Sequence, residues 1–213
     1  MKLNNKRTIL VGLAFLSICA FWQMYDSIVP LILTKTFHMN ETFSGAIMAA
    51  DNILALFLLP FFGSVSDKSH SKLGKRMPFI LFGTGCAIIL MNILPLLDNS
   101  YAAQPSGFKT ASFVIVLGLL LVAMGTYRAP AVALMPDVTP KPLRSRANAI
   151  INLMGAVGGI LYLGVAAVLY PNSKTAGLDH VNYQPLFIVV SAIMFVAVAV
   201  LFLTTVSYTH LTL

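Results

Sequence analysis

Long apolar runs alternate with short polar loops along all 213 residues, and the pattern has no period of two that would mark strands. Crossing a bilayer as a helix takes roughly 20 predominantly apolar residues. Six runs meet that length, at about 8–34, 43–65, 78–97, 111–136, 147–170 and 184–205. The loops between them are too short for a soluble domain. The pattern therefore predicts an all-α membrane protein with six transmembrane helices.

Composition agrees: 58% of residues are hydrophobic and 10% charged. So little charge cannot cover a water-facing surface, which makes lipid the solvent. The net charge of +7 would suit a nucleic-acid partner only if the cations shared one face. Instead Lys2, Lys6 and Arg7 precede the first run, Lys68, Lys72, Lys75 and Arg76 follow the second, and Lys141, Arg144 and Arg146 follow the fourth. The opposite loops hold Lys35, Lys109 and Lys174. This alternation is the positive-inside rule; it places the N-terminus in the cytoplasm, in a multi-pass protein of the plasma (inner) membrane, and removes nucleic acid as a partner. Cys19 and Cys86 both lie inside apolar runs and suggest no disulfide. The first run is too long for a signal peptide and has no small-x-small cleavage site after it, so it is expected to remain as a helix.

Three ionisable side chains fall inside predicted helices: Asp26, Asp51 and Arg128. Each costs about 2.5–3.5 kcal/mol at a helix centre facing lipid, so all three are expected to face protein or a cavity. At 1.5 Å per residue, each lies about 12 Å from its nearer helix end, close to the midplane. Pro30 has no N–H to give to the carbonyl of Asp26, four residues earlier, so a carboxylate and a free carbonyl coincide there. That combination suits a proton or a sodium ion. Pro130 does the same for the carbonyl of Thr126, beside Arg128. Trp22 shares the face of Asp26 and offers a ring on which a sugar can stack, although packing is its more ordinary use. The plainer reading of the charges is a buried Asp–Arg pair that neutralises itself, but a pair leaves one acid unmatched.

The loop after the second run reads Gly63-Ser-Val-Ser66-Asp67-Lys68, then Gly74-Lys75-Arg76-Met77-Pro78-Phe79-Ile80. It resembles the loop between helices two and three of the major facilitator superfamily. The long spacer and the Pro-Phe-Ile point to the sucrose-transporter-like glycoside:cation symporters. A second stretch, Tyr127-Arg128-Ala-Pro-Ala-Val-Ala-Leu-Met-Pro136-Asp137 followed by Arg144-x-Arg146-Ala-Asn148, is similar to the helix-four region of the same branch, with Pro130 and a longer gap before Asp137 as departures. The resemblance implies the N-terminal six-helix half of a twelve-helix facilitator, built as two inverted three-helix repeats. It implies that Gly63, Asp67, Lys68, Gly74, Lys75, Arg76, Asp137, Arg144 and Arg146 form a cytoplasmic gate. It also implies that Arg128 takes part in glycoside binding and cation coupling. The expected function is cation-coupled, alternating-access transport of a sugar, without cofactor or metal.

Helix five opens Asn148-x3-Asn152-x2-Gly155-x3-Gly159 on one face. Gly155 and Gly159 are expected to allow close helix packing, and Asn152 to line the pathway or bond a neighbouring helix. Val206-Ser-Tyr-Thr-His-Leu-Thr-Leu213 matches the translation of a common transposon-based sequencing adapter, so the genuine sequence is expected to end near Thr205 and a C-terminal half to be missing. Two other readings, one within the transporter class and one outside it, fit less well. Drug efflux would use the many Met and Phe residues. An intramembrane aspartyl protease would use Asp26, after Tyr25, with Asp51 as its acid/base pair, but Asp51 lacks the Gly-x-Gly context.

Overall fold

The computed structural model describes residues 3–71, 73–178 and 180–210, with the side chains of residues 172 and 205–210 outside the description. Lys2, Lys72 and residues 211–213 therefore lie outside the described residues.

The chain forms α1 (Asn5–Leu31), α2 (Glu41–Lys68), α3 (Met77–Ala103), α4 (Gly107–Val138), α5 (Arg144–Leu169), the single turn α6 (Asn172–Thr175) and α7 (Gln184–His210). A π-helical segment, Ile32–Thr36, prolongs α1, and one 3₁₀ turn, Lys141–Leu143, precedes α5. Among the described residues, six helices are long and apolar enough to cross a membrane. Asn4 caps α1 by accepting from the Arg7 N–H, and Asn40 caps α2 by accepting from Thr42 N–H. Two helix ends differ usefully from the sequence reading. α3 continues past residue 97 to Ala103, which draws Asp98 into the helix. The π segment begins two residues after Pro30, whose lost i−4 bond lets the winding change.

α1 runs through the centre and packs on α5 and α7; α3 packs on α4 and α7, and α2 on α4. Exchanging α1, α2 and α3 with α4, α5 and α7 maps the α1–α5 contact onto α4–α2, and the α3–α4 contact onto α7–α1. This pairing is what two three-helix units of inverted topology produce. The core holds Phe21, Met24, Tyr25, Met91, Phe113, Tyr127 and Phe187, all almost fully buried. α2 is the opposite case: Phe43, Ile53, Leu56, Phe57 and Phe61 are exposed along it.

Close packing rests on particular glycines. A Cβ on Gly83 of α3 would come 2.7 Å from the Tyr127 N of α4, and one on Gly155 would come 2.9 Å from the Cys19 sulfur. A Cβ on Gly158 would overlap the Leu16 carbonyl of α1 outright. Gly159 meets only Gln23 Oε1 at 3.8 Å, an ordinary contact. The small-residue seam of α5 is therefore Gly155 with Gly158, one residue away from the predicted partner. The helix is rotated so that position 158, rather than 159, faces α1.

Candidate functional site

The midplane residues converge only in part. Trp22 from α1, Asp51 from α2 and Arg128 from α4 line one crevice, closed off by Leu54, Leu58, Leu121 and Gly125. Its free volume is about 10 Å³, near the minimum for one water and far too small for a sugar. The Arg128 guanidinium carbon lies 5.4 Å from the Trp22 ring centroid, a cation–π contact. Trp22 is itself wedged edge-on between Phe21 and Tyr25, each with its centroid 5.3 Å away. So the ring that the sequence offers to a sugar carries Arg128 on a face. Among the described residues no carboxylate comes within 4.0 Å of Arg128, and the simple Asp–Arg pair does not form.

Asp26 is exposed on the face of α1 below Trp22, within electrostatic reach of Asp51. Asp51 is half-buried; one carboxylate oxygen accepts from the Asn52 backbone N–H at 2.6 Å and from its side-chain amide at 2.8 Å. Sequence reasoning passed over Tyr25 as a site residue. Its ring is buried within electrostatic reach of both acids, and its hydroxyl has no hydrogen-bond partner among the described residues, nor has the Trp22 indole N–H. The available signal was its position three residues after Trp22. Tyr127 pins α4 to α1: its hydroxyl lies 2.6 Å from Ser17 Oγ and donates to the Ala14 carbonyl at 3.1 Å. That fixes the neighbouring Arg128. Asn152 is exposed and stands apart from the crevice.

The loop motif gathers around Arg76, whose side chain is 8% exposed. Its guanidinium pairs with Asp67 at the end of α2 and donates Nε to Asp137 Oδ2 of α4 at 3.0 Å. It also donates to Ser66 Oγ at 2.6 Å and to the Gly63 carbonyl at 3.3 Å. One planar cation thus ties α2, α3 and α4 together, a fork geometry that lysine does not offer. Gly74 sits at φ +88°, the left-handed turn that lets the chain swing Arg76 back inward. Arg144 donates to the Pro136 and Thr139 carbonyls at 2.9 and 3.3 Å, covering acceptors left open at the end of α4. Lys68, Lys75 and Arg146 are exposed and form no ion pair among the described residues.

The Major Facilitator Superfamily profile matches residues 11–211. This chain belongs to the major facilitator superfamily. It is 35% identical over 158 residues to sucrose transport protein SUC3 of Arabidopsis thaliana, covering 68% of the chain and 26% of that protein. It is 36% identical over 154 residues to sucrose transport protein SUT3 of Oryza sativa subsp. indica, covering 66% and 30%. It is also 25% identical over 179 residues to the alpha-ketoglutarate permease of Escherichia coli, covering 83% and 38%. The chain spans well under half the length of the curated relatives it matches. Membership makes it a multi-pass membrane protein of a transporter superfamily rather than an enzyme, so the protease reading of Asp26 and Asp51 falls away.

Proposed function

We propose that the chain is the N-terminal six-helix half of a transporter that moves a sugar or glycoside by cation-coupled alternating access. The observation that carries this reading is the crevice in which Trp22, Asp51 and Arg128 meet, in a chain similar to two sucrose transport proteins. Arg128, held over Trp22 without a carboxylate partner, is the group that substrate hydroxyls or a coupled anion would engage. Asp26 and Asp51 are the acids that take up a proton or sodium ion. Neutralising one weakens its attraction for Arg128 and permits reorientation once substrate is bound. Because the crevice is nearly closed, room for a sugar comes from the second half of the complete protein and from movement of Arg128 off the ring. The Arg76 cluster gates the cytoplasmic end, with the N-terminus in the cytoplasm and the protein in the plasma (inner) membrane.

The test is gradient-driven uptake of labelled sucrose and related glycosides by the complete protein in proteoliposomes. Asp26→Asn and Arg128→Ala are each expected to abolish accumulation while leaving the protein inserted. Normal accumulation by both variants would sink the proposal. An organic anion is the second reading, favoured by the unpaired Arg128 and the likeness to the alpha-ketoglutarate permease. Uptake of dicarboxylates but not sugars in the same vesicles would select it.

A further inference from the structure

At the end of the bundle opposite Arg76 lies a second polar cluster that the transport reading does not use. Asp98 stands about 22 residues along α3 from Arg76, roughly 33 Å at the helical rise. Its side chain is 0% exposed, and neither carboxylate oxygen has a hydrogen-bond partner among the described residues. The nearest cation is His180, from the loop between α6 and α7, with Nδ1 3.9 Å from Asp98 Oδ2. Thr36, at the end of the π segment, places its hydroxyl 3.2 Å from the same Nδ1 and acts on Asp98 without reaching hydrogen-bond geometry. On the other side His180 Nε2 lies 3.0 Å from Asn99 Oδ1. Asn99 in turn donates to Asn182 Oδ1 at 2.9 Å.

The bonding restricts the proton states. An amide oxygen only accepts, so Nε2 carries a hydrogen. Nδ1 then either accepts from Thr36, with the imidazole neutral, or carries a second proton directed at Asp98. In the first state Asp98 must hold the proton itself; in the second it is the counter-ion of an imidazolium. Either way one proton keeps the cluster neutral. Without it, a fully buried carboxylate has at most the neutral Thr36 hydroxyl beside it, an arrangement that costs several kcal/mol and is relieved when the loop swings away and water enters. The surroundings do not supply a substitute. Tyr183 faces Asp98, and burial together with the Asp98 charge raises its hydroxyl above the ordinary tyrosine value, so it stays neutral. Tyr170 packs on Tyr183, and Tyr101 on Phe37. Lys109 of α4 is occupied with the Ser100 and Gln104 carbonyls at 2.7 and 2.9 Å. Lys35 makes no ion pair among the described residues, and Asp179 lies outside them.

We propose that Asp98 and His180 form a proton-binding site, and that the bound proton latches the α6–α7 loop onto the outer ends of α1 and α3. The latch holds when the cluster is protonated and releases as pH rises and the proton leaves. It is independent of which substrate the protein moves.

The experiment places spin labels at Leu178→Cys, in the loop, and Gln104→Cys, beyond α3, in a Cys19→Ser, Cys86→Ser background in nanodiscs. Distance distributions are compared at about pH 5 and about pH 9, which bracket histidine titration widely. The expected result is a single narrow distance at low pH that broadens at high pH. In His180→Gln, a change at a partly exposed loop position, the distribution is expected to be the same at both values. Asp98→Asn is expected to lose the pH response as well, and if it fails to fold, His180→Gln alone still decides. A parent distribution that ignores pH, or a His180→Gln variant that keeps the parent's response, overturns the latch.

Discussion

Arg76 shows how much one side chain can organise. Its guanidinium meets two half-exposed or exposed carboxylates, a hydroxyl and a backbone carbonyl while itself buried. The desolvation of the cation is offset only because several acceptors surround it. Arg76→Lys keeps the charge but one ammonium cannot reach Asp67, Asp137 and Ser66 in the same plane. We expect Arg76→Lys to destabilise by about 1–3 kcal/mol, close to Arg76→Ala, from the lost charged hydrogen bonds. Thermal unfolding in detergent checks this, and a lysine variant as stable as the parent would contradict it. The motif was legible in the sequence as a row of charged positions. That Arg76, rather than Lys75 or Lys68, turns inward was not, because the cations of one loop look alike until the turn at Gly74 fixes their directions. Trp22 adds a probe, as the chain's single tryptophan. Moving Arg128 off its face changes the ring's environment, so in a complete protein with any tryptophan outside this chain replaced by phenylalanine, substrate addition should shift the fluorescence in the parent and not in Arg128→Ala.

Among the helices, closeness of approach is decided glycine by glycine. Gly158→Ala forces α1 and α5 apart, because the new methyl overlaps the Leu16 backbone, which cannot rotate away. A loss of about 1–3 kcal/mol is expected, as for overpacked cores. Gly159→Ala, whose methyl meets only the end of Gln23, is the matched control and should melt within about 0.5 kcal/mol of the parent. Gly63 is a third case. It lies inside α2, a Cβ there meets nothing within 4 Å, and its contribution to the Arg76 cluster is its carbonyl. Gly63→Ala should therefore keep the cluster and raise stability by up to about 1 kcal/mol through helix propensity. A collapse of the protein on that change would mean that the glycine is needed in another conformation. The repeat x3 spacing of small residues on α5 was visible beforehand. Its rotation about the helix axis was not, since Gly158 and Gly159 differ by only one step.

For the molecule as a whole, the two related three-helix units place Pro30 of α1 and Pro130 of α4 in matching helices. Each removes the helical donor of the carbonyl four residues earlier, at Asp26 and at Thr126. On the proposed half-transporter reading, the exposed apolar faces of α2 and α5, which carry Leu56 and Leu153, are expected to meet the second half. On a Cys19→Ser, Cys86→Ser background, Leu56→Cys and Leu153→Cys should react with a lipid-soluble maleimide in this chain alone and be protected in the complete protein. Ile89→Cys on α3, also exposed, should react in both. Equal labelling of all three in the complete protein would place the second half elsewhere.

The sequence by itself determined the six spans, the charged loops and the superfamily to which their motifs belong. It could do so because a bilayer imposes a one-dimensional rule: an apolar run of sufficient length must become a helix that satisfies its own backbone. Tertiary structure decided the partners. It set Arg128 over Trp22 without an ion pair to either acid, chose Gly158 over Gly159, and brought His180 from a loop to a buried Asp98. Those choices depend on how each helix is rotated. When lipid and protein core are equally apolar, hydropathy carries almost no information about rotation, and packing and hydrogen bonding settle it.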